Sequence, residues 1–225
     1  VTEPAGRAPE TAQTLDRGLQ ILQLLASPSG HGGMTISQLA DHLGVGRAVV
    51  YRLVATLVAR DFASRGPDGR VRLGIAGARL SVAVRPMLVE AARPVLRQLA
   101  DEAGATAHLT IAEGNEALAL LVVEPSWTDF HVAYRVGSRH PLTRGAAGRA
   151  LLAGREGKAG VVVTEGELQS GAYGVAAPVL EVPGLQASLG LVSMGPLAGS
   201  VGELVLAAGS RLARALGATR SRPTT

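Results

Sequence analysis

Between Thr35 and Leu57 the apolar positions fall at helical spacing twice, with a glycine between the two runs. Ile36, Leu39, Ala40 and Leu43 form one stripe; Val50, Leu53, Val54 and Leu57 form the other. Thr35 and Gln38 stand three apart ahead of the first stripe, the spacing of a capping box in which hydroxyl and amide each take a backbone N–H. Gly44 is placed to end that helix, because glycine enters the left-handed region without steric cost. Small Ala40 permits close approach and Val45 plugs the turn. The spacing therefore predicts two short helices across a tight turn, a helix-turn-helix. The outer face of the second helix carries Arg47, Ala48, Tyr51, Arg52 and Ala55. Two guanidiniums, a phenol and two small residues fit a major groove, where arginine bonds guanine edges or grips phosphates. The alternative is an ordinary helical hairpin with solvated arginines; cap, turn glycine and outer face agree on the first reading.

The flanking pattern extends this unit. A helix is expected from Thr14 to about Ala26, with Leu15, Leu19, Leu22 and Leu25 as its stripe and Asp16 in its first turn. Pro28-Ser29-Gly30 and Gly32-Gly33 break it into a loop. Beyond Leu57, two short extended runs, Arg60 to Arg65 and Arg70 to Leu73, flank Gly66-Pro67-Asp68-Gly69, and Asp-Gly there is a strong hairpin signal. Three helices followed by a hairpin predict a winged helix. Arg65, Arg70 and Arg72 lie on or beside the wing, either reaching phosphates and an adjacent minor groove or forming a solvated face.

Ile75 to Ala103 reads as helix interrupted at Pro86 and Pro94, each a kink or a new helix start, with Leu80, Val84 and Leu88 as a stripe. Gly104 ends it. Apolar runs at His108–Ile111 and Leu118–Val123 predict strands around a four-residue loop, Glu113-Gly114-Asn115-Glu116, and Phe130–Val136 offers a third strand. After Pro141 and Thr143, Gly145-Ala146-Ala147-Gly148 opens a helix through Ala153. Small side chains there either leave backbone N–H groups uncovered for an anion such as a small carboxylate, or simply let helix pack closely on sheet. Gly174–Val179 and Ala187–Pro196 read as two further strands around Val182-Pro183-Gly184. The last helix, Val201 to Leu216, has Leu204, Ala208, Leu212 and Leu216 on one side.

Composition narrows the classes. The chain has 225 residues, a formal net charge of +4 and 47% hydrophobic residues, ample for one large or two small cores. Its basic side chains are arginines except Lys158, which with the abundant Ala and Gly reflects coding bias, so the high pI speaks only weakly for nucleic acid. Absence of cysteine removes disulfides, thiolate nucleophiles and Cys-zinc sites. No apolar run is long enough to span a bilayer, and VTEPAGRAPE lacks the hydrophobic block of a signal peptide, so a cytoplasmic protein without membrane contact is expected.

The five histidines (His31, His42, His108, His131, His140) lack metal-ligand spacing, and adjacent Asp101-Glu102 point apart on a helix. Gly190 to Gly195 misses a nucleophile elbow by one residue, and Gly145-x-x-Gly148-x-Ala150 lacks the context of a dinucleotide site. No catalytic set, metal or cofactor is expected, and a small-molecule enzyme is the least favoured reading.

TLDRGLQILQLL, then TISQLADHLGVGRAVVYRLVATLVARDF, then RVRLG closing the wing, resemble the N-terminal domain of the IclR family of bacterial transcriptional regulators. Arg17, Arg52, Leu53, Leu73 and Gly74 stand at that family's recurrent positions, whereas Val49 and Tyr51 replace the commoner Thr and His. GSRHPLTRGAAGRALLAG and GVAAPV resemble the effector domain's signature. The resemblance implies an α+β chain: a winged helix-turn-helix over 14–74, a linker helix over 75–90 that packs on a partner chain, and a GAF-like effector-binding and oligomerisation domain with a mainly antiparallel sheet over 91–218. Residues 1–13 and 219–225 are expected as flexible tails. It further implies a regulator, expected as a repressor, that binds an inverted-repeat double-stranded DNA operator as a homodimer or tetramer. The DNA-facing set is Thr35, Ser37, Arg47, Ala48, Tyr51, Arg52, Arg65, Arg70 and Arg72. A carboxylate-like small effector is placed near Ala146, Ala147, Thr164, Gly174, Val192 and Met194. The segment between Leu152 and Gly174 is shorter than the family's, so part of the cavity wall is expected to be missing. A ligand-free dimerisation domain is therefore the alternative.

Overall fold

The computed structural model describes residues 12–128 and 134–217, and the chain divides into two compact units between Val84 and Arg85. In the first, α1 (Gln13–Ala26), α2 (Ile36–Leu43) and α3 (Arg47–Ala59) are followed by the hairpin β1 (Ala63–Arg65) and β2 (Val71–Leu73). Ile21, Leu25, Leu39, Val50, Val54 and Val71 close its core. The Thr35 hydroxyl accepts the Gln38 N–H at 3.2 Å while the Gln38 side chain accepts the Thr35 N–H at 2.9 Å, so the capping box is complete. Gly44 follows at φ 63°, and the chain turns through 111° between α2 and α3, as a helix-turn-helix requires. Met34 pairs with Val71 through two backbone hydrogen bonds and adds a one-residue third rung to the wing.

The stripe expected on α1 is rotated. Gly18, Ile21 and Leu25 face the core, whereas Leu15 and Leu19 are 63% and 51% exposed. Their leucine spacing belongs to a neighbouring face that no described residue covers.

The helix α4 (Ala76–Ala103) runs without a break, so Pro86 and Pro94 neither end nor restart it. Both prolines are exposed, as are Val82 and Glu90, whose carbonyls lose their helical donors; water can satisfy them there. On the opposite side Leu88, Ala92, Val95, Leu96, Leu99 and Ala100 are buried in the core of the second unit, which keeps this part of the helix continuous through Pro94.

The second unit is a six-stranded sheet in the order β5-β4-β3-β8-β7-β6, every neighbouring pair antiparallel. Its strands are β3 (Thr106–Glu113), β4 (Glu116–Val123), β5 (Arg139–Pro141), β6 (Val162–Glu165), β7 (Tyr173–Val179) and β8 (Ala187–Ser193). The β3–β4 turn holds two residues, Gly114 and Asn115, rather than four: Glu113 pairs with Glu116, and Gly114 supplies the positive φ of the turn. Most of the strand expected over Phe130–Val136 lies outside the described residues, and Tyr134–Val136 are not strand; the edge strand is β5 instead.

Three helices flank the sheet. The odd-numbered residues Val175, Ala177, Val179, Leu189 and Leu191 face α4 and α6 (Val201–Ala215), which contributes Val205, Ala208 and Leu212. On the other face lies α5 (Gly145–Arg155), with Ala146 and Ala150 against Ala176 and Val162. A side chain in place of Gly148 would sit 2.7 Å from the Leu142 carbonyl oxygen, and one at Gly190 would sit 2.4 Å from the Val175 carbonyl oxygen. A side chain in place of Gly174 on β7 would sit 3.2 Å from the Ala146 Cβ, so the small residues at the start of α5 let helix and sheet pack closely.

Candidate functional site

On α3, Arg47, Ala48, Tyr51, Arg52 and Ala55 all face outward, Tyr51 being 55% exposed. Among the described residues the Arg47 and Arg52 guanidiniums hold no hydrogen bond or ion pair, and the first turn of α3 carries no acid. Such a ridge offers donors that water alone solvates, ready for phosphate or base edges. Thr35 spends its hydroxyl on the α2 cap, and Ser37 is half-buried at the start of the same helix.

The three wing arginines behave differently from one another. Arg65 lies over the Tyr51 ring with its guanidinium carbon 5.1 Å from the centroid, beside the ridge. Arg72 forms a two-bond pair with Asp68, at 2.6 and 3.1 Å, inside the hairpin. The hydrogen bond from Arg72 and then the Arg70 backbone N–H hold the Asp68 carboxyl down to about 2. Arg70 turns inward and donates to the Gly33 carbonyl at 2.8 Å. Of the wing guanidiniums, Arg65 is the one placed against the α3 ridge; the other two are engaged in building the wing.

The second unit holds a cavity of about 100 Å³ between the start of α5 and the sheet. Five of the six residues singled out from sequence, Ala146, Ala147, Thr164, Gly174 and Val192, line it together. Met194 is not among the lining residues and is 57% exposed, because it lies beyond the end of β8. The short segment before Gly174 does build a wall, contributing Glu167, Leu168 and Gln169.

Sequence reasoning missed His108, Tyr134, His140 and Glu167 on this cavity. Thr106, His108 and Thr110 alternate along a buried strand, and that period-two run of polar residues is the signal that marks the face. His108 packs edge-on against the Tyr134 ring, 5.4 Å between centroids, and its Nδ1 lies 3.2 Å from the Thr110 hydroxyl. Burial, and secondarily the nearby His140, push the His108 ring down to about 4. Burial likewise raises the Tyr134 phenol. Among the described residues no three His, Cys, Asp or Glu side chains converge as a metal ion would require, and no single helix is long and apolar enough to cross a membrane.

The comparisons with known proteins agree with this layout. The family model of the IclR helix-turn-helix domain matches residues 14–67, and that of the bacterial transcriptional regulator IclR C-terminal domain matches residues 81–159. The HTH-type transcriptional regulator BhcR of Paracoccus denitrificans (strain Pd 1222) is 35% identical over 144 residues, 63% of this chain and 50% of that protein. The chain spans about half the length of the curated relatives it matches. An IclR-family regulator from Rhodococcus sp. aligns with a TM-score of 0.60 at 22% identity, covering 95% of this chain and 97% of that one. An IclR homolog from Microbacterium hydrocarbonoxydans, complexed with 4-hydroxybenzoate, aligns with a TM-score of 0.51 at 20% identity, covering 92% and 100%. At such identities the structural likeness speaks to fold: a helix-turn-helix unit followed by an antiparallel-sheet domain. The two domain matches together span more than half of the sequence, and the chain belongs to the IclR family of bacterial transcriptional regulators.

Proposed function

We propose that this chain is a DNA-binding repressor that places α3 in the major groove of an inverted-repeat operator and is controlled by a small molecule bound beneath α5. The observation that carries the reading is the outward ridge of Arg47, Tyr51 and Arg52, whose guanidiniums have no counter-charge within the described residues. Arg65, stacked on Tyr51, adds a cation beside it. The fold supports the groove geometry, with a capped α2 holding α3 across the turn.

Dimerisation follows from two considerations. A single winged helix covers too little DNA for tight specific binding, and paired half-sites multiply affinity. Leu15, Leu19, Leu80, Val82 and Val84 are large apolar side chains left 49% to 63% exposed, and a second copy of the chain would cover them. Repression is the reading that fits a dimer seated across an operator.

The lined cavity favours a ligand-responsive domain over a ligand-free dimerisation domain. The Microbacterium homolog holds an aromatic acid, which supports a small organic effector here. An effector acts by binding more tightly to one spacing of the reader units than to another, and so shifts operator affinity.

The test is direct. Duplexes enriched from a random pool by the wild-type chain are titrated against Arg52→Ala in a mobility-shift assay. Loss of about 1–3 kcal/mol of binding is expected; unchanged binding would show that α3 is not the reading helix.

A further inference from the structure

The start of α5, the end of the cavity suited to an anion, is taken by the protein itself. Glu167, in the turn between β6 and β7, accepts the Gly145 N–H at 2.8 Å through one carboxylate oxygen. Its other oxygen pairs with Arg149 Nη2 at 2.8 Å. Arg144 donates to the backbone carbonyl of Glu167, so the turn is fastened to the helix start by side chain and backbone alike. A fixed negative charge therefore stands where a ligand carboxylate would seek the helix N-terminus.

A different chemistry stands elsewhere on the lining, at His140. His140 is 8% exposed and its Nδ1 lies 3.1 Å from the Pro141 carbonyl oxygen, so Nδ1 is the donor of that bond. In the neutral ring this tautomer turns the bare lone pair of Nε2 away from the bond. Nε2 is buried and has no hydrogen-bond partner among the described residues. A buried acceptor left unpaired costs free energy that an arriving O–H or N–H donor recovers. The apolar part of the lining is Ala146, Ala147, Leu168 and Leu191, and among the described residues no lysine or arginine lines the cavity.

We propose that Glu167 is the specificity-determining residue of this cavity: by claiming the helix start, it selects uncharged ligands bearing a hydroxyl for His140 Nε2 over carboxylates. The inference rests on the effector reading above and deepens it. A ligand carboxylate has to approach a like charge and displace it from both Gly145 and Arg149, whereas a neutral hydroxyl compound meets neither obstacle.

Phenol and benzoate, similar in size and different in charge at pH 7.5, are the probes, and calorimetric titration of the full chain is the measurement. The wild type is expected to bind phenol at least tenfold more tightly than benzoate. Glu167→Gln keeps an oxygen for the Gly145 N–H, removes the charge and frees Arg149. It should bring the two affinities within about threefold by tightening benzoate, while phenol changes less than twofold. His140→Phe should weaken phenol at least fivefold. A wild type that prefers benzoate overturns the proposal, and this arm stands even if a variant fails to fold. An unmoved ratio in folded Glu167→Gln also overturns it, leaving the effector reading intact. Absence of binding by either probe to wild type and variant alike removes the effector reading, and the proposal with it.

Discussion

The helices α3 and α5 carry the same kind of cation and use it in opposite ways. On α3, Arg47 and Arg52 face water with no partner among the described residues. On and around α5, Arg144 and Arg149 are fastened to Glu167, and Arg155 bonds both Gln186 and the Gly114 carbonyl. Nearby, Arg139 pairs with Glu113 and Glu116. An arginine whose counter-charge the protein supplies is a staple, and a phosphate must first break that pair to use it. An arginine held out on a rigid helix without one has only water to give up. Residue type alone does not separate these roles; the provision of a partner does. The wing shows both within one hairpin, with Arg72 a staple to Asp68 and Arg65 laid on the ridge.

The strongest way to break this comparison is to separate the two units energetically. Their cores are distinct clusters, one closed by Ile21, Leu39 and Val50, the other by Leu96, Leu109, Leu189 and Leu212. Leu39, fully buried, is the pivot of α2 against α3. Leu39→Ala should cost about 2–5 kcal/mol in the first unit and abolish DNA binding at a temperature where the second unit stays folded. Hydrogen exchange resolved by segment is the measurement: loss of protection confined to α1–α3 is expected, and equal loss across the sheet would mean that the chain unfolds as one cooperative block.

A somewhat smaller effect sharpens the comparison from the other side. Burial pushes the His108 ring down to about 4, whereas the unfolded chain takes up a proton near 6.5. The unfolded state therefore binds more protons between those values. Stability is whole above pH 6.5, falls as the pH drops toward 4, and levels off below, a total of roughly 3 kcal/mol. Urea titrations of wild type and His108→Gln across pH 7 to 4 should differ by a slope present only in the wild type. Parallel curves would show that the ring takes its proton without unfolding the strand.

What could be read from the chain, and what could not, divides along the reach of each interaction. The capping box of Thr35 and Gln38, the stop at Gly44 and the Asp68-Gly69 turn are settled within four residues, and their residue types state the geometry. The prolines of α4 obey a local rule that packing overrides, since exposed positions let water replace the missing donors while Leu96 and Leu99 hold the helix on the sheet. Strands β5 and β6, three and four residues long, exist because Ala117 and Val175 lie opposite them, and nothing within so short a run announces a partner. Glu167 is the extreme case. Its role depends on an N–H at Gly145, 22 residues away in sequence, and a lone acid in a polar turn carries no sign of that.

The smallest effect concerns the contact between ridge and wing. Arg65 of β1 and Tyr51 of α3 meet face-on with 5.1 Å between guanidinium carbon and ring centroid. An exposed contact of this kind is worth about 0.5–1 kcal/mol. A double-mutant cycle with Tyr51→Leu and Arg65→Gln, read by urea denaturation, isolates it from the separate effects of each side chain. Coupling of that size would mean that the wing is set against the reading helix before any DNA arrives, so that Arg65 binds without a further ordering cost. Coupling near zero would mean that Arg65 moves freely in solution. Its removal should then weaken binding to every duplex alike and lower the salt dependence by about one unit of slope, as a plain phosphate contact does. The two outcomes assign Arg65 to opposite sides of the comparison, a preset part of the α3 ridge or a mobile cation beside it.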